Sequence, residues 1–328
     1  MPNNATGFNQ PLSGLEVPRF AGIATFMRLP HVPLSKARDI DIGIVGVPFD
    51  GGTTNRPGPR HGPRQMRDMS AMIRRVNPAT RVTPYDLANV ADLGDCPVNP
   101  ADVKDSLKRI ERFFGKLAAK GIRPISAGGD HLVSYPILKA LGRERPLGMV
   151  HFDAHTDLFE GYFGGFRLTH GTPFRRAIED GVLDPRRVVQ IGIRGSMYDY
   201  DDREYAAKVG VRIIEMEEFE RLGVAATMRI AREVVGTGPI YVSFDIDCLD
   251  PSIAPGTGTP EVGGLTTREV QQILRGLKGL DVIGGDVVEV APQYDATTNT
   301  AQAGAQMLFE ILSLMVFSPS VGRRPASA

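Results

Sequence analysis

Seven short apolar runs, each closed by Gly, Pro or Asp, constrain this chain more than anything else in it. They are Ile40–Val47, Arg123–Ala127, Gly148–Phe152, Val188–Ile193, Val211–Ile214, Ile240–Ile246 and Val282–Val290. They are rich in Val and Ile and show little polar alternation, so they read as parallel strands buried on both faces. Stretches of helical period lie between them. In Val103–Lys120 the residues Val103, Leu107, Ile110, Phe114 and Leu117 recur three or four apart and form one stripe, and Gly121 supplies a stop. Leu132–Leu141, Pro173–Glu179, Val224–Val235, Thr267–Leu277 and Thr300 to about Val316 read as further helices, with Thr266 or Thr267 as a cap near Glu269. The alternation predicts an α/β fold, a three-layer α/β/α sandwich on a mostly parallel sheet of about eight strands. A closed (β/α)8 barrel is the alternative, because pattern alone does not show sheet closure.

No linker or repeat divides the pattern, so residues 1–328 are expected to form one domain, with loose tails or oligomer arms at about 1–20 and 319–328. The 38 basic and 38 acidic side chains balance, and no basic stripe points to a nucleic acid or an anionic membrane. A small-molecule partner is therefore expected. With only Cys96 and Cys248, a disulfide framework is excluded. The first twenty residues lack the basic-then-apolar pattern of a signal peptide, and no run of 18 apolar residues occurs, so a cytoplasmic protein is expected.

The ends of the strands carry the chemistry. They read Ala127-Gly-Gly-Asp130-His131, His151-Phe-Asp153-Ala-His155-Thr-Asp157, Ser243-Phe-Asp245-Ile-Asp247 and Val288-Glu289. In an open parallel sheet, ligands bind beyond these ends. Asp153, His155 and Asp157 are spaced by two, as are Asp245 and Asp247, so in extended chain each set projects to one side. With His131 they make four carboxylates and two imidazoles. Such a group without cations repels itself and shifts toward protonation. Two divalent cations offset the charge, and mixed carboxylate and imidazole ligands suit Mn²⁺, Ni²⁺, Zn²⁺ or Fe²⁺. A single Asp-x-His-x-Asp segment is equally readable as a cap and turn cluster; the joint pattern favours metal. His151 reads as a core histidine or one that supports a ligand, Cys248 as a packed thiol, His61 as structural, and the Gly256–Glu261 loop as a pocket wall.

In order and spacing these clusters resemble the ureohydrolases: arginase, agmatinase and the guanidino-acid hydrolases. The resemblance runs from Pro18 to Leu314 and includes Gly51-Gly52-Thr53, Gly58, Gly62-Pro63 and Gly256-Thr-Gly-Thr-Pro260-Glu261. Pro30, Arg19-Phe20-Ala-Gly22-Ile and Thr53-Thr-Asn55-Arg56 resemble the guanidinobutyrase and guanidinopropionase branch. The resemblance implies a trimer or a homo- or hetero-hexamer. It also implies two metal ions, Mn²⁺ or Ni²⁺, one on His131, Asp153, Asp157 and Asp245, the other on Asp153, His155, Asp245 and Asp247. His170 matches a proton-shuttling histidine, Glu289 the carboxylate that holds a guanidinium, and Asp157 a group able to carry the proton of a metal-bridging hydroxide. A water shared by two cations has its pKa lowered toward neutrality, which a poorly electrophilic guanidinium carbon requires. The expected products are urea, or a substituted urea, and an amine.

The loop after Asp157 departs from the family. Relatives that bind a substrate carboxylate place small polar residues there; this chain has Leu158-Phe159-Glu160-Gly-Tyr162-Phe163-Gly-Gly-Phe166-Arg167. Asn55, Arg56, Leu158, Phe159, Glu160, Tyr162 and Glu289 are therefore the candidate substrate contacts, with Arg56 or Arg167 as partner for a carboxylate. The family reading gives a guanidino acid such as 3-guanidinopropionate. An apolar wall at Leu158-Phe159, with Tyr162, Phe163 and Phe166 around methyl groups, gives instead an alkylated guanidine or a biguanide such as metformin. A third reading is a non-catalytic subunit that supports an active partner.

Overall fold

The computed structural model describes residues 7–322. Among these, eight strands make one sheet: β1 (Ile42–Gly46), β2 (Val90–Asp95), β3 (Arg123–Ala127), β4 (Leu147–Phe152), β5 (Leu183–Ile193), β6 (Arg212–Glu215), β7 (Pro239–Asp245) and β8 (Asp281–Val288). Every neighbouring pair is parallel, in the order β2-β1-β3-β8-β7-β4-β5-β6. β2 and β6 stand at opposite ends and do not pair with each other, β2 taking only the isolated bridge of Asp92 to His31 on its outer side, so the sheet is open and the barrel alternative falls.

Seven strands match the apolar runs. β2 escapes the pattern because Asp92 interrupts it. That carboxylate is buried, and the fold satisfies it with Arg67 Nε at 3.0 Å and the amides of Phe26 and Gly94 at 2.9 and 2.8 Å.

Nine helices surround the sheet among the described residues: α1 (Gly62–Met69), α2 (Pro84–Leu87), α3 (Val103–Ala119), α4 (Ser134–Leu141), α5 (Pro173–Glu179), α6 (Asp201–Val209), α7 (Met216–Val235), α8 (Thr267–Gly276) and α9 (Asn299–Met315). Alternate strand residues feed two cores. Ile42, Ile44, Val150, Phe152, Val242 and Phe244 pack with α7, α8 and α9. Val45, Met149 and Tyr241 pack with α3, α4 and α5, where Leu107, Ile110, Phe114 and Leu117 form the stripe read from α3. This two-sided burial is why the strands read as continuous apolar runs. Thr266 and Glu269 form a reciprocal capping box that starts α8. In α7, Gly223 takes φ 68° and breaks the helix, so the expected start at Val224 captures only its second half.

Where they are described, both expected tails make hydrogen bonds to the rest of the chain. Asn9 N donates to Asn89 Oδ1 (2.9 Å), Leu12 N to Arg28 O (3.0 Å), and Arg28 Nη1 to Val17 O (3.0 Å). Ser320 is tied to Asp281 Oδ1 through its amide and its hydroxyl. These bonds tether the N-terminal segment at Asn9, Leu12, Val17 and Arg28 yet leave Leu15, Phe20 and Ile23 more than nine-tenths exposed. The rest of both expected tails, residues 1–6 and 323–328, lies outside the described chain. Among the described residues, no helix is long and apolar enough to cross a membrane.

Candidate metal centre

The carboxyl ends of β3, β4, β7 and β8 bring the acidic and histidine clusters together. Local structure differs from simple extension. Asp247 sits in a 3-10 turn, Ile246–Cys248, capped by Asp245, whose Oδ1 accepts from Asp247 N at 2.8 Å. Asp130 likewise caps the turn that carries His131. In the Asp153-Ala-His155-Thr-Asp157 segment, where a cap and turn cluster was the alternative, Asp153 Oδ1 does accept from His155 N at 2.6 Å, while Asp153 Oδ2 stands 3.1 Å from His131 Nδ1. Asp157 and Glu289 both adopt left-handed backbone, with φ of 54° and 63°. Non-glycine residues held there cost about 1–3 kcal/mol and concentrate at functional sites. Gly129 is needed for close approach, since a Cβ there would meet the Phe49 carbonyl oxygen at 1.6 Å.

His131 Nδ1 is buried and has no hydrogen-bond partner. It stands 3.1 Å from Asp153 Oδ2, 3.0 Å from Asp157 Oδ2 and 3.1 Å from Asp245 Oδ2. On the other side of Asp153, His155 Nδ1 lies 3.4 Å from Asp153 Oδ1 and 3.2 Å from Asp247 Oδ2. Asp153, His155 and Asp247 are close enough to share one ion. An orphaned imidazole nitrogen facing three carboxylate oxygens, beside this second cluster joined through Asp153, fits two divalent cations.

The electrostatics agree. Burial, then Asp247 and Asp153, push the Asp245 carboxyl well above the usual range; burial and then Asp153 raise Asp157. Burial opposes charge on His131 and His155, but the surrounding carboxylates outweigh it and raise both well above an ordinary imidazole. Left to itself, the cluster recruits protons; cations do the same work without them. His151 is not free to join, because its Nε2 bonds Asp153 Oδ2 at 2.7 Å and its Nδ1 bonds Gln190 Nε2 at 3.0 Å.

Beside the cluster, His170 Nδ1 bonds Glu289 Oε1 at 2.9 Å. That oxygen also accepts from His131 N at 2.8 Å, while Glu289 Oε2 is buried without a partner. His170 Nε2 faces the Thr54 hydroxyl at 2.7 Å and accepts from Thr54 N at 3.1 Å when neutral. Burial opposes charge on His170, but Glu289, with Asp157 and Asp130 adding, carries its pKa up to about 9.

A cavity of about 400 Å³ opens over this floor. Asn55, Arg56, Phe159, Tyr162 and His170 line it, as do Thr259, Pro260 and Glu261 of the expected wall. Three candidates are outside its lining, and one of them, Glu289, bonds the lining residue His170. Leu158 is wholly buried in the α3–α5 core, because backbone turning at Asp157 points it inward. Glu160 is half exposed and pairs with Arg167 (3.1 Å) and Arg175 (2.6 Å) on the outer surface. Arg167 is likewise held outside, on Glu160 and Glu179 (2.8 Å), so it is no partner for a pocket carboxylate. Phe163 and Phe166 are exposed and outside the lining. Arg56 does face the cavity: its Nε donates to Gly258 O at 3.2 Å and its guanidinium lies 4.8 Å over the Tyr294 ring, with no acidic partner among the described residues.

Sequence reading missed Tyr198, whose ring meets Phe159 and Tyr162 edge-on at 6.3 and 6.5 Å. It also missed Asp202 and Arg203 on the same wall. Their signal was available: the run Ser196-Met-Tyr198-Asp-Tyr-Asp-Asp202 follows a strand end directly. Arg194 lines the cavity too, but its donors are spent on backbone carbonyls, including Asp247 O at 2.8 Å and Glu261 O at 2.6 Å, so it staples the wall to the centre.

Comparison with known proteins decides the family. The model described as Arginase family matches residues 40–313. The chain belongs to the arginase family. It is 60% identical over 309 residues to the guanidinopropionase of Pseudomonas aeruginosa, covering 94% of this chain and 96% of that one. The guanidinobutyrase of the same organism is 48% identical over 318 residues, with 96% and 98% covered. Among solved structures, the proclavaminate amidinohydrolase of Streptomyces clavuligerus superposes with a TM-score of 0.88 at 40% identity, covering 92% of this chain and 99% of that one. As a member of the arginase family, the chain is a metal-dependent hydrolase acting on C–N bonds.

Proposed function

We propose that this chain hydrolyses a small guanidino acid, of the kind its guanidinopropionase relative is named for, to urea and an amino acid. The observation that carries the reading is a pair of opposite charges at the cavity. Glu289 Oε2 is buried without a partner, on the carboxylate that bonds the lining residue His170, and the Arg56 guanidinium, which lines the cavity, has no acidic partner among the described residues. A substrate with a cationic head and an anionic tail is held by both ends.

His131, Asp153, Asp157 and Asp245 would hold one cation, and Asp153, His155, Asp245 and Asp247 the other. Mn²⁺ and Ni²⁺ suit this ligand set. Bound there, two cations supply a hydroxide-equivalent nucleophile near neutral pH and neutralise the cluster. The chain does the rest. Glu289 Oε2 accepts from the guanidinium and fixes the face that it presents. Asp157 would take the proton of the attacking hydroxyl and pass it to the departing nitrogen. His170 would then protonate the freed amine and regain a proton from solvent along Thr54, whose hydroxyl meets its Nε2 and which lines the cavity. The exposed Leu15, Phe20 and Ile23 support assembly into a trimer or hexamer, with the tethered N-terminal segment as a contact.

A second reading has one observation of its own. Phe159, Tyr162 and Tyr198 form an aromatic group on the cavity wall, with rings 5.4 to 6.5 Å apart, suited to N-methyl groups or a second delocalised cation. It predicts an alkylated guanidine or biguanide substrate. A panel decides between them. Protein loaded with Mn²⁺ or with Ni²⁺ is given 3-guanidinopropionate, 4-guanidinobutyrate, agmatine, arginine, N,N-dimethylguanidine and metformin, and urea, guanylurea and amine are measured. We expect the guanidino acids to lead in kcat/KM; a lead for the methylated compounds transfers the conclusion to the second reading. No turnover of any, with two metals bound, would place the substrate outside this panel and overturn both readings.

A further inference from the structure

One level below the metal cluster, a row of buried polar residues crosses the sheet. Parallel register sets Gln190 of β5 beside His151 of β4, His151 beside Ser243 of β7, Ser243 beside Asp286 of β8, and Asp286 beside Ser126 of β3. All five are wholly buried. Apolar residues would serve a core better, and buried polar groups are costly unless each finds a partner. Two of the five touch residues of the cluster directly.

The donor directions follow from fixed groups. Gln190 Nε2 lies 2.6 Å from the Thr156 carbonyl oxygen and 3.0 Å from His151 Nδ1. A flipped amide would set its own oxygen against that carbonyl, so the nitrogen must face it, even though Gln190 Oε1 is then left without a partner. The second amide hydrogen is therefore given to His151 Nδ1, which accepts. The imidazole proton is then on Nε2, which donates to Asp153 Oδ2 at 2.7 Å. Asp153 Oδ1 accepts from His155 N at 2.6 Å, so both of its oxygens are oriented by donors. At the other end of the row Asp286 accepts from Ser134, Tyr241 and Ser243 hydroxyls at 2.6, 2.8 and 2.8 Å. With its hydrogen committed, Ser243 Oγ accepts from His131 Nε2 at 2.9 Å and turns the Nδ1 lone pair into the cluster.

We propose that Gln190 is a positioning residue for the metal centre: by fixing the tautomer of His151 it holds the shared carboxylate Asp153 in its metal-binding orientation. The proposal rests on the reading of Asp153 as a ligand common to both ions. Its reach extends to the cavity wall, because Thr156, which fixes the Gln190 amide, also donates through Oγ1 to buried Asp202 at 2.6 Å.

The test reads metal rather than turnover. Full-length metal-free protein is titrated with Mn²⁺, and free Mn²⁺ is counted by electron paramagnetic resonance. Gln190→Met and His151→Phe should each weaken retention about 10- to 100-fold, the usual cost of losing a partner that orients a ligand. The double variant should be no weaker than the worse single, since both break one chain. His151→Gln, whose amide replaces the Nε2–H donor, should retain most of the affinity. Melting of the metal-free proteins checks that the fold survives. If Gln190→Met does not fold, the His151 pair decides. Unchanged Mn²⁺ retention in a folded Gln190→Met, additive losses in the double variant, or His151→Gln as weak as His151→Phe each overturns the proposal. Failure of the unmodified chain to bind two Mn²⁺ overturns instead the reading on which it rests.

Discussion

The floor and the mouth of this cavity are built by different means. The floor is sheet register: Asp153 and Asp245 end adjacent strands, and the chain turns immediately after each. Its groups are buried except for the half-buried His155, and the free oxygens of Asp153 and Asp245 are aimed by a neighbouring amide and a cap. The mouth is loop: Phe159 and Tyr162 stand on an irregular segment held by its own backbone bonds, Phe159 N to Gly171 O (3.1 Å) and Tyr162 N to Phe166 O (2.9 Å), and Tyr198 stands on another and is largely exposed. A floor fixed by the whole sheet tolerates little change, and a mouth fixed by contacts among a few rings can be altered without disturbing it. Under the proposed function, reaction type and substrate choice are then separable in this molecule.

The largest effect should come from breaking the floor. Asp245→Ala removes one of the three carboxylates around His131 and the cap of the following turn. Activity should fall by more than about 10³-fold, matching the several kcal/mol a metal centre contributes. Metal analysis by mass spectrometry should show fewer than two ions per chain. Retention of both ions with full turnover would remove Asp245 from the centre.

Much of that floor was legible because it is local. His131, Asp153, His155, Asp157, Asp245 and Asp247 all lie within a few residues of strand ends that apolar runs announce. The edge strand β2 was not legible, since its buried Asp92 depends on Arg67 from α1, a partner no local pattern reveals. Side-chain direction in the loop was not legible either. Leu158 and Phe159 are neighbours of similar character, yet the left-handed turn at Asp157 sends the first into the core and leaves the second on the cavity. The row from Gln190 to Ser126 was hidden for another reason: its members are adjacent only across strands, and strand order is set by tertiary structure.

His170 lies between the two regions and should show an intermediate effect. Its ring contacts Glu289 on one side and Thr54 on the other, and it is not among the groups clustered on His131. His170→Ala should lower kcat roughly 10²-fold, the scale of a lost proton donor, while leaving two metals bound. A parallel loss of metal would assign His170 to the floor; unaltered kcat would remove it from the proton path.

The smallest effects should sort the two arginines that sequence alone left as equal partners for a substrate carboxylate. Arg56 faces the cavity with its charge unmatched, whereas Arg167 is committed outside to Glu160 and Glu179. On a guanidino acid, Arg56→Ala should raise KM about tenfold or more, the scale of a lost hydrogen bond to a charged group, with kcat changed far less, because the tail does not react. On agmatine, whose tail is cationic, the same change should leave KM level or lower it. Arg167→Ala should leave KM for either substrate within about twofold, since exposed ion pairs contribute little. If Arg167→Ala raises KM for the acid and Arg56→Ala does not, the outer loop must fold over the cavity when substrate binds. The mouth would then be formed by the substrate it selects, and the contrast with the rigid floor would be sharper still.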